Sequence, residues 1–121
     1  MPIVQIKLPK GCADEITLEK VRLGVKASVL ETLSPKDSRH DYVVVSEAIG
    51  KIGDGLPFVL VDMRPGREQE RKEAFATFVS ECIGNELEID PRNVFVLYRE
   101  SDASNFFVGD GFLPGWEPGQ H

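Results

Sequence analysis

Apolar and polar side chains alternate along the first segment of the chain. Residues 3–8, with the sequence IVQIKL, are mainly apolar, and the polar positions Gln5 and Lys7 lie two residues apart. This rhythm predicts a β-strand with one buried face. Further along, apolar residues recur at the spacing of a helix, at Leu18, Val21, Val25, Val29 and Leu33. The pattern predicts a helix over residues 13–33, stopped by Pro35.

The rest of the chain shows the same two kinds of pattern. Three runs rich in β-branched or other apolar residues predict further strands, at residues 42–48, 57–63 and 93–100. Residues 68–83 place apolar side chains on one face, which predicts a second helix, and Gly84 is expected to end it. The glycine-rich stretch 49–55 predicts a loop or a short hairpin.

The two halves of the chain also resemble one another. When residues 56–70 are laid under residues 1–15, the identical pairs are Pro57 with Pro2, Val59 with Val4, Gly66 with Gly11 and Glu70 with Glu15. With the shared order of strand, turn and helix, these identities predict an internal repeat of residues 1–55 and 56–111, with a tail at 112–121. The expected fold is α/β, with two β-α-β units whose four strands form one sheet and whose helices cover one face. A ferredoxin-like fold has the same element order and stays open as an alternative.

Length and charge narrow the classes of function. A chain of 121 residues is expected to form one domain. The net charge of −6 argues against nucleic acid or a membrane surface as partner. We see no apolar run of the roughly 20 residues that a membrane span needs and no signal peptide, so a cytoplasmic location is expected. Cys12 and Cys82 lack metal-ligand spacing and are expected to be free thiols.

The start of the chain holds the first candidate for chemistry. Pro2 donates no hydrogen bond to a β-ladder, so its simplest explanation is a proline at the first residue of a strand. A second explanation applies once the initiator Met is removed, which a small second residue generally permits. Pro2 then carries a free secondary amine, and such an amine can act as a general base or acid.

The densest positive charge lies at residues 64–72, with the sequence RPGREQERK. The chain opens with MPIVQIKL, which is followed by a glycine turn and an acidic helix start, and its second half contains FVLVDMRPGREQERK with the pair Gly66-Arg67. These two stretches resemble the tautomerase superfamily, and 4-oxalocrotonate tautomerase in particular. The length is similar to that of members with two fused units. The resemblance implies a homotrimer without cofactor or metal, with Pro2 as a catalytic residue. It also implies that Arg64 and Arg67 bind a small carboxylic acid substrate, for which a planar guanidinium is suited.

Within the superfamily, the chain is most similar to the branch of malonate semialdehyde decarboxylase and cis-3-chloroacrylic acid dehalogenase. The similarity rests on Arg64-Pro65, on EQERK at 68–72 and on SDASNFFVGDG at 101–111. The catalytic loop aspartate of that branch has its nearest match in Asp37. Because the spacing to the next strand is longer here, Asp41, or no residue, is an alternative.

Aromatic residues near the end of the chain are expected to supply an apolar wall for the substrate. Phe106 and Phe107 are the substrate-binding candidates, and Trp116 is a further one. A role for these side chains in the core or between subunits is an equal alternative.

The resemblance implies a cofactor-independent keto–enol tautomerase that acts on a small 2-oxo or 2-hydroxy-dienoate acid. The first alternative is a lyase like malonate semialdehyde decarboxylase, or a 3-haloacrylate hydratase or dehalogenase. A second alternative is a non-catalytic trimeric binding module, which would tolerate Pro2→Ala. A ferredoxin-like interaction domain, without a reactive terminal amine, is the third.

Overall fold

A computed structural model describes residues 2–33 and 41–114 of the chain. In these residues two α-helices and eight strands follow one another in the order β1 (Ile3–Pro9), α1 (Glu15–Ser28), β2 (Tyr42–Ala48), β3 (Lys51–Ile52), β4 (Gly55–Leu56), β5 (Phe58–Met63), α2 (Gln69–Leu87), β6 (Phe95–Glu100), β7 (Phe107–Val108) and β8 (Gly111–Phe112). A five-residue π-helical segment, Val29–Leu33, continues α1. Neither helix in these ranges is long and apolar enough to cross a membrane.

Four strands form the central sheet, in the order β2-β1-β5-β6. β1 pairs in parallel with β2, and β5 pairs in parallel with β6, so each half of the chain is a β-α-β unit. β1 and β5 pair antiparallel at the centre, with Val4 opposite Val61 and Ile6 opposite Val59. The predicted fold of two β-α-β units on one sheet is confirmed.

Both helices cover the same face of this sheet. One face of the two central strands is fully buried, at Val4, Ile6, Leu8, Val59, Val61 and Met63. The helices contribute side chains with no exposed surface to the same core, at Val21, Val25, Phe75, Val79 and Ile83. Close contact between the two helices is possible at Gly24, because a Cβ there would lie 3.0 Å from the Sγ of Cys82.

The helix ends differ from those that the sequence predicts. α1 begins at Glu15, because the side chain of Asp14 accepts a hydrogen bond from the Thr17 backbone N–H at 2.8 Å and caps the helix. Gly84 does not end α2, and that prediction is wrong. The helix continues to Leu87 and ends at Glu88, which has a left-handed backbone conformation with φ 57°. Gly84 instead leaves room for Pro91, whose Cγ would lie 2.9 Å from an added Cβ.

The second face of the sheet carries apolar side chains that neither helix covers. Val44, Phe95 and Leu97 keep between 40% and 54% of their surface exposed in the single chain. Phe58 and Phe95 stack there with ring centroids 5.4 Å apart. An apolar face of this kind is typical of an interaction surface.

Candidate active site

The sheet topology brings the start of the chain to the end of β5. β1 and β2 run parallel and begin together, with Ile3 paired to Tyr42. β5 runs the other way, so its last residue, Met63, lies one position beyond the pair of Ile3 with Asp62. Pro2 precedes β1 and Arg64 follows β5. One edge of the sheet therefore gathers residues from the start of the chain, from the start of β2 and from the end of β5.

Pro2 is buried at this edge. Its carbonyl oxygen accepts a hydrogen bond from the Tyr42 N–H at 3.2 Å, which extends the parallel ladder by one step. Pro2 lies before the first residue of β1, where its lack of an N–H removes no hydrogen bond from the β-ladder. The ladder thus fixes where the Pro2 ring lies relative to the residues that begin β2.

Arg64 is a buried cation, with 3% of its surface exposed. Its Nη1 donates a hydrogen bond to the carbonyl oxygen of Pro114. Within residues 2–33 and 41–114, its Nε has no hydrogen-bond acceptor. Burial lowers the pKa of Arg64, while the negative charge of Asp41 acts in the opposite direction. A buried guanidinium with a free donor favours an anion as its partner.

Arg67 is also buried, with 5% of its surface exposed. Its Nε donates to the carbonyl oxygen of Leu33 at 2.7 Å, and its Nη1 donates to the carbonyl oxygen of Arg64 at 3.4 Å. Burial, and secondly the charge of Arg64, lower the pKa of Arg67 to about 10. The side chain is still protonated at neutral pH, so two positive charges stand close together.

Asp41 is the carboxylate that the structure brings to this edge. It is 3% exposed and directly precedes β2, one residue before the partner of Ile3. Its charge acts on both Arg64 and Arg67. Asp37, the sequence-predicted catalytic aspartate, lies outside the described residues. Asp41 was an alternative to it in the sequence, and the signal that could have placed it near Pro2 is its position directly before a strand that runs parallel to β1.

Four further groups border the two arginines. Lys72 and Glu100 form an ion pair at 2.8 Å, and Arg71 and Glu100 both act electrostatically on Arg67. The hydroxyl of Tyr98 donates to the Lys72 carbonyl oxygen at 2.6 Å, and burial raises the pKa of Tyr98. In the described parts of the chain the local excess is therefore positive although the whole chain has a net charge of −6, because four cations, Arg64, Arg67, Arg71 and Lys72, stand near three carboxylates, Asp41, Glu68 and Glu100.

The two aromatic candidates occupy different environments. Phe106 is 9% exposed, and its carbonyl oxygen accepts a hydrogen bond from the Leu113 N–H at 3.0 Å. The neighbouring residue, Pro114, provides the carbonyl that contacts Arg64, so Phe106 belongs to the segment lying beside that arginine. Phe107 is 59% exposed and packs edge to face on Phe112. Trp116 lies outside the described residues.

The groups gathered here suit acid–base chemistry on an anion. Buried guanidinium groups can hold a carboxylate or a developing oxyanion. A secondary amine or a carboxylate beside them can move a proton. Among the described residues, no three His, Cys, Asp or Glu side chains form a group that would hold a metal ion.

Comparison with known proteins gives a family match for slightly less than half of the chain and similar folds for most of it. Residues 57–113 match the family described as Tautomerase enzyme. No curated protein matches the sequence at a significant level.

Several solved structures share the fold. F6, a wild-type fused 4-OT described as an asymmetric trimer, has a TM-score of 0.77 and 19% identity over 88% of this chain and 92% of its own. Malonate semialdehyde decarboxylase has a TM-score of 0.68 and 18% identity over 90% and 92%. N1, a member of the cis-3-chloroacrylic acid dehalogenase family, has a TM-score of 0.76 and 19% identity over 96% and 85%.

Because these sequence identities are below 20%, the structural matches show that the fold is shared and nothing about activity. The family match supplies the sequence relationship for the second half, which includes Arg64 and Arg67. The resemblance to the tautomerase superfamily is therefore confirmed, and the chain has the fold of its members with two fused units.

Proposed function

We propose that the chain is a cofactor-independent keto–enol tautomerase that acts on a small 2-oxo or 2-hydroxy-dienoate acid. The observation that carries the proposal is the position of buried Pro2 at the same sheet edge as buried Arg64. Arg64 binds the carboxylate of the substrate, and the amine of Pro2 takes the proton from the enol hydroxyl and delivers it to a carbon of the conjugated system, so that the enol O–H bond is exchanged for a C–H bond. Phe106 supplies an apolar wall next to Arg64.

The electrostatic surroundings support Pro2 as the base. An α-amino group ordinarily titrates near pH 8. Burial and neighbouring cations disfavour the protonated amine, which lowers its pKa, whereas Asp41 acts in the opposite direction. We therefore propose that burial and the positive charges of Arg64 and Arg67 keep the Pro2 amine neutral at physiological pH.

The ketonisation of phenylenolpyruvate, followed by its UV absorbance, tests this proposal. Protein whose intact mass shows a chain beginning at Pro2 is expected to accelerate the reaction by at least about 10²-fold over buffer, as general base catalysis allows. A rate equal to that in buffer would contradict the proposal and would favour a binding module.

We propose a homotrimer as the active assembly. The uncovered sheet face, with Val44, Phe95 and Leu97, offers apolar surface that a second and a third copy would bury. The fused 4-OT relatives described as trimers support this assembly.

A second candidate function is hydration or decarboxylation of a three-carbon acid, in which Asp41 activates water or the substrate. The burial of this carboxylate beside Pro2 and Arg64 favours it. Malonate semialdehyde decarboxylase, whose structure bears on decarboxylase and hydratase activities, shares the fold.

The Asp41→Asn variant separates the two functions, because the amide keeps the shape but cannot accept a proton. If the second function operates, we expect Asp41→Asn to lower malonate semialdehyde decarboxylation by about 10²-fold or more. The ketonisation of phenylenolpyruvate is expected to change by less than about 5-fold, which serves as the control. Equal decarboxylation rates in the wild type and the variant would remove Asp41 from this role.

A further inference from the structure

We propose that the sheet edge opposite Pro2 is a second ligand site, which binds a small aromatic carboxylic acid and carries out no chemistry on it. The internal repeat builds this edge from the same backbone parts as the candidate active site, with different side chains. The inference goes beyond the proposed function, because it concerns other residues and makes no claim about catalysis.

The backbone is closely similar at the two edges. At the first edge the Tyr42 N–H donates to the Pro2 carbonyl oxygen at 3.2 Å. At the second edge the Phe95 N–H donates to the Pro57 carbonyl oxygen at 3.0 Å. Both prolines are buried, and each directly precedes the first strand of a β-α-β unit. Because β1 and β5 are antiparallel, the two prolines lie at opposite ends of the sheet, and the second edge is the counterpart of the first.

The side chains of the second edge do not carry the charges of the first. In the alignment of the two halves, Pro9 takes the place of Arg64, and Cys12 takes the place of Arg67. The nitrogen of Pro57 is an amide within the chain and cannot accept a proton. The second edge therefore lacks the groups that would move a proton or hold an oxyanion, and what it can offer a ligand is binding.

A cavity of about 430 Å³ lies at this second edge, a volume within the range of small-molecule sites. Phe58 and Phe95 line it, and their rings stack with centroids 5.4 Å apart and an angle of 24° between their planes. Gly53, Gly55 and Asn93 also line it, and a Cβ at Gly53 would lie 3.5 Å from the Oδ1 of Asn93. The two rings offer a flat apolar wall for an aromatic ligand.

Arg92 gives the cavity its preference for an acid. Among the described residues that line the cavity, Arg92 alone is charged. Its side chain is 90% exposed, and its Nε and Nη2 donate to the Asp90 carboxylate at 3.1 and 2.8 Å. An exposed ion pair of this kind contributes little to stability, so the guanidinium can turn to the carboxylate of a ligand at small cost.

A second copy of the chain is the competing occupant, because Phe95 also belongs to the apolar face that we propose the trimer buries. Phe58 and Phe95 lie in one cross-strand row with Lys7, where the pairing of β1 with β5 ends. Leu97 lies in a row nearer the middle of the face, opposite Leu60. A ligand in the cavity therefore lies at one end of the apolar face, and Leu97 provides a control on the same face.

The test is a titration of the isotope-labelled full chain with 2-naphthoate, in which NMR follows each backbone amide. The amides of Gly53, Gly55 and Asn93 report the dissociation constant of the proposed site. The amides of Ile3 and Tyr42 report binding at the candidate active site separately. The variants are Phe95→Ala and Arg92→Gln, and Leu97→Ala is the matched control, since Leu97 is on the same strand and is 40% exposed.

Saturable shifts are expected at the three amides of the proposed site. Phe95→Ala is expected to raise the dissociation constant there by at least about 5-fold, because half of the aromatic wall is lost. Arg92→Gln is expected to raise it by about 2- to 5-fold, the size of an exposed ion pair. The same variant is expected to leave the binding of the uncharged 2-naphthalenemethanol unchanged. Leu97→Ala is expected to change either constant by less than about 2-fold.

The absence of shifts at Gly53, Gly55 and Asn93 would overturn the proposal. An equal loss of binding in Phe95→Ala and Leu97→Ala would also overturn it, because binding would then follow the assembly and not the cavity. Sedimentation with 2-naphthoate tests the competing occupant: an oligomer that the ligand dissociates would show that a second copy fills the cavity, and the proposal would be wrong. If Phe95→Ala does not fold, the comparison of acid and alcohol in the surface variant Arg92→Gln decides.

Discussion

The Pro2→Ala variant is expected to lose about 10²- to 10⁴-fold in kcat/KM for phenylenolpyruvate, the range that a positioned general base contributes. Alanine still allows removal of the initiator Met and leaves an α-amine at the end of the chain. That amine is primary and is no longer fixed in a ring held by the strand pairing at Tyr42. We therefore expect the loss to fall mainly on kcat, since Arg64 still binds the carboxylate.

The fold provides the control for this variant. The Pro2 carbonyl that accepts from the Tyr42 N–H is present in alanine as well, so the melting temperature is expected to change by no more than a few degrees. A Pro2→Ala protein that is folded and as active as the wild type would exclude Pro2 as the base. It would favour the alternative of a non-catalytic binding module, with the apolar face of the sheet as its interaction surface.

The Phe75→Ala variant is expected to lower the free energy of unfolding by about 3–5 kcal/mol, the usual cost of removing a buried phenylalanine. Phe75 has no exposed surface and packs from α2 into the core beneath the central strands. The cavity that alanine leaves is bordered by the rigid sheet on one side, so it is not expected to collapse fully. Urea unfolding followed by circular dichroism measures the change.

Phe78→Ala is the matched control for the core prediction. Phe78 lies on the same helix but keeps 40% of its surface exposed. Its replacement is expected to cost less than about 1.5 kcal/mol, because little apolar surface is removed from the core. Equal losses in the two variants would show that α2 does not pack on the sheet as described.

The strands of the central sheet were predictable because their patterns are local. Residues 42–48 were predicted as a strand, and β2 has those bounds. The order of elements and the repeat then led to two β-α-β units on one sheet. The end of α2 was not predictable in this way: Gly84 resembles a stop, but its missing side chain serves the contact with Pro91, which lies outside the helix.

The candidate site was predictable only as far as strand ends can be read from a sequence. Pro2 before β1 and Arg64 after β5 lie at the same edge of the sheet, because antiparallel neighbours bring the start of one strand to the end of the other. The hydrogen bond from Arg67 to the Leu33 carbonyl joins residues that lie 34 positions apart, one in each half of the chain. No local sequence pattern predicts this contact. Asp37 stays a prediction, and Asp41 is the aspartate that the structure places beside the arginines.

The most direct test of the central claim compares two proteins that differ by one residue, one beginning at Pro2 and one retaining Met1. Both carry the same side chains at the site, but in the second the nitrogen of Pro2 is an amide and cannot accept a proton. With intact masses confirmed, the account predicts that only the protein beginning at Pro2 accelerates the ketonisation of phenylenolpyruvate. Equal acceleration by both proteins would contradict the account, because catalysis would then not depend on the amine of Pro2.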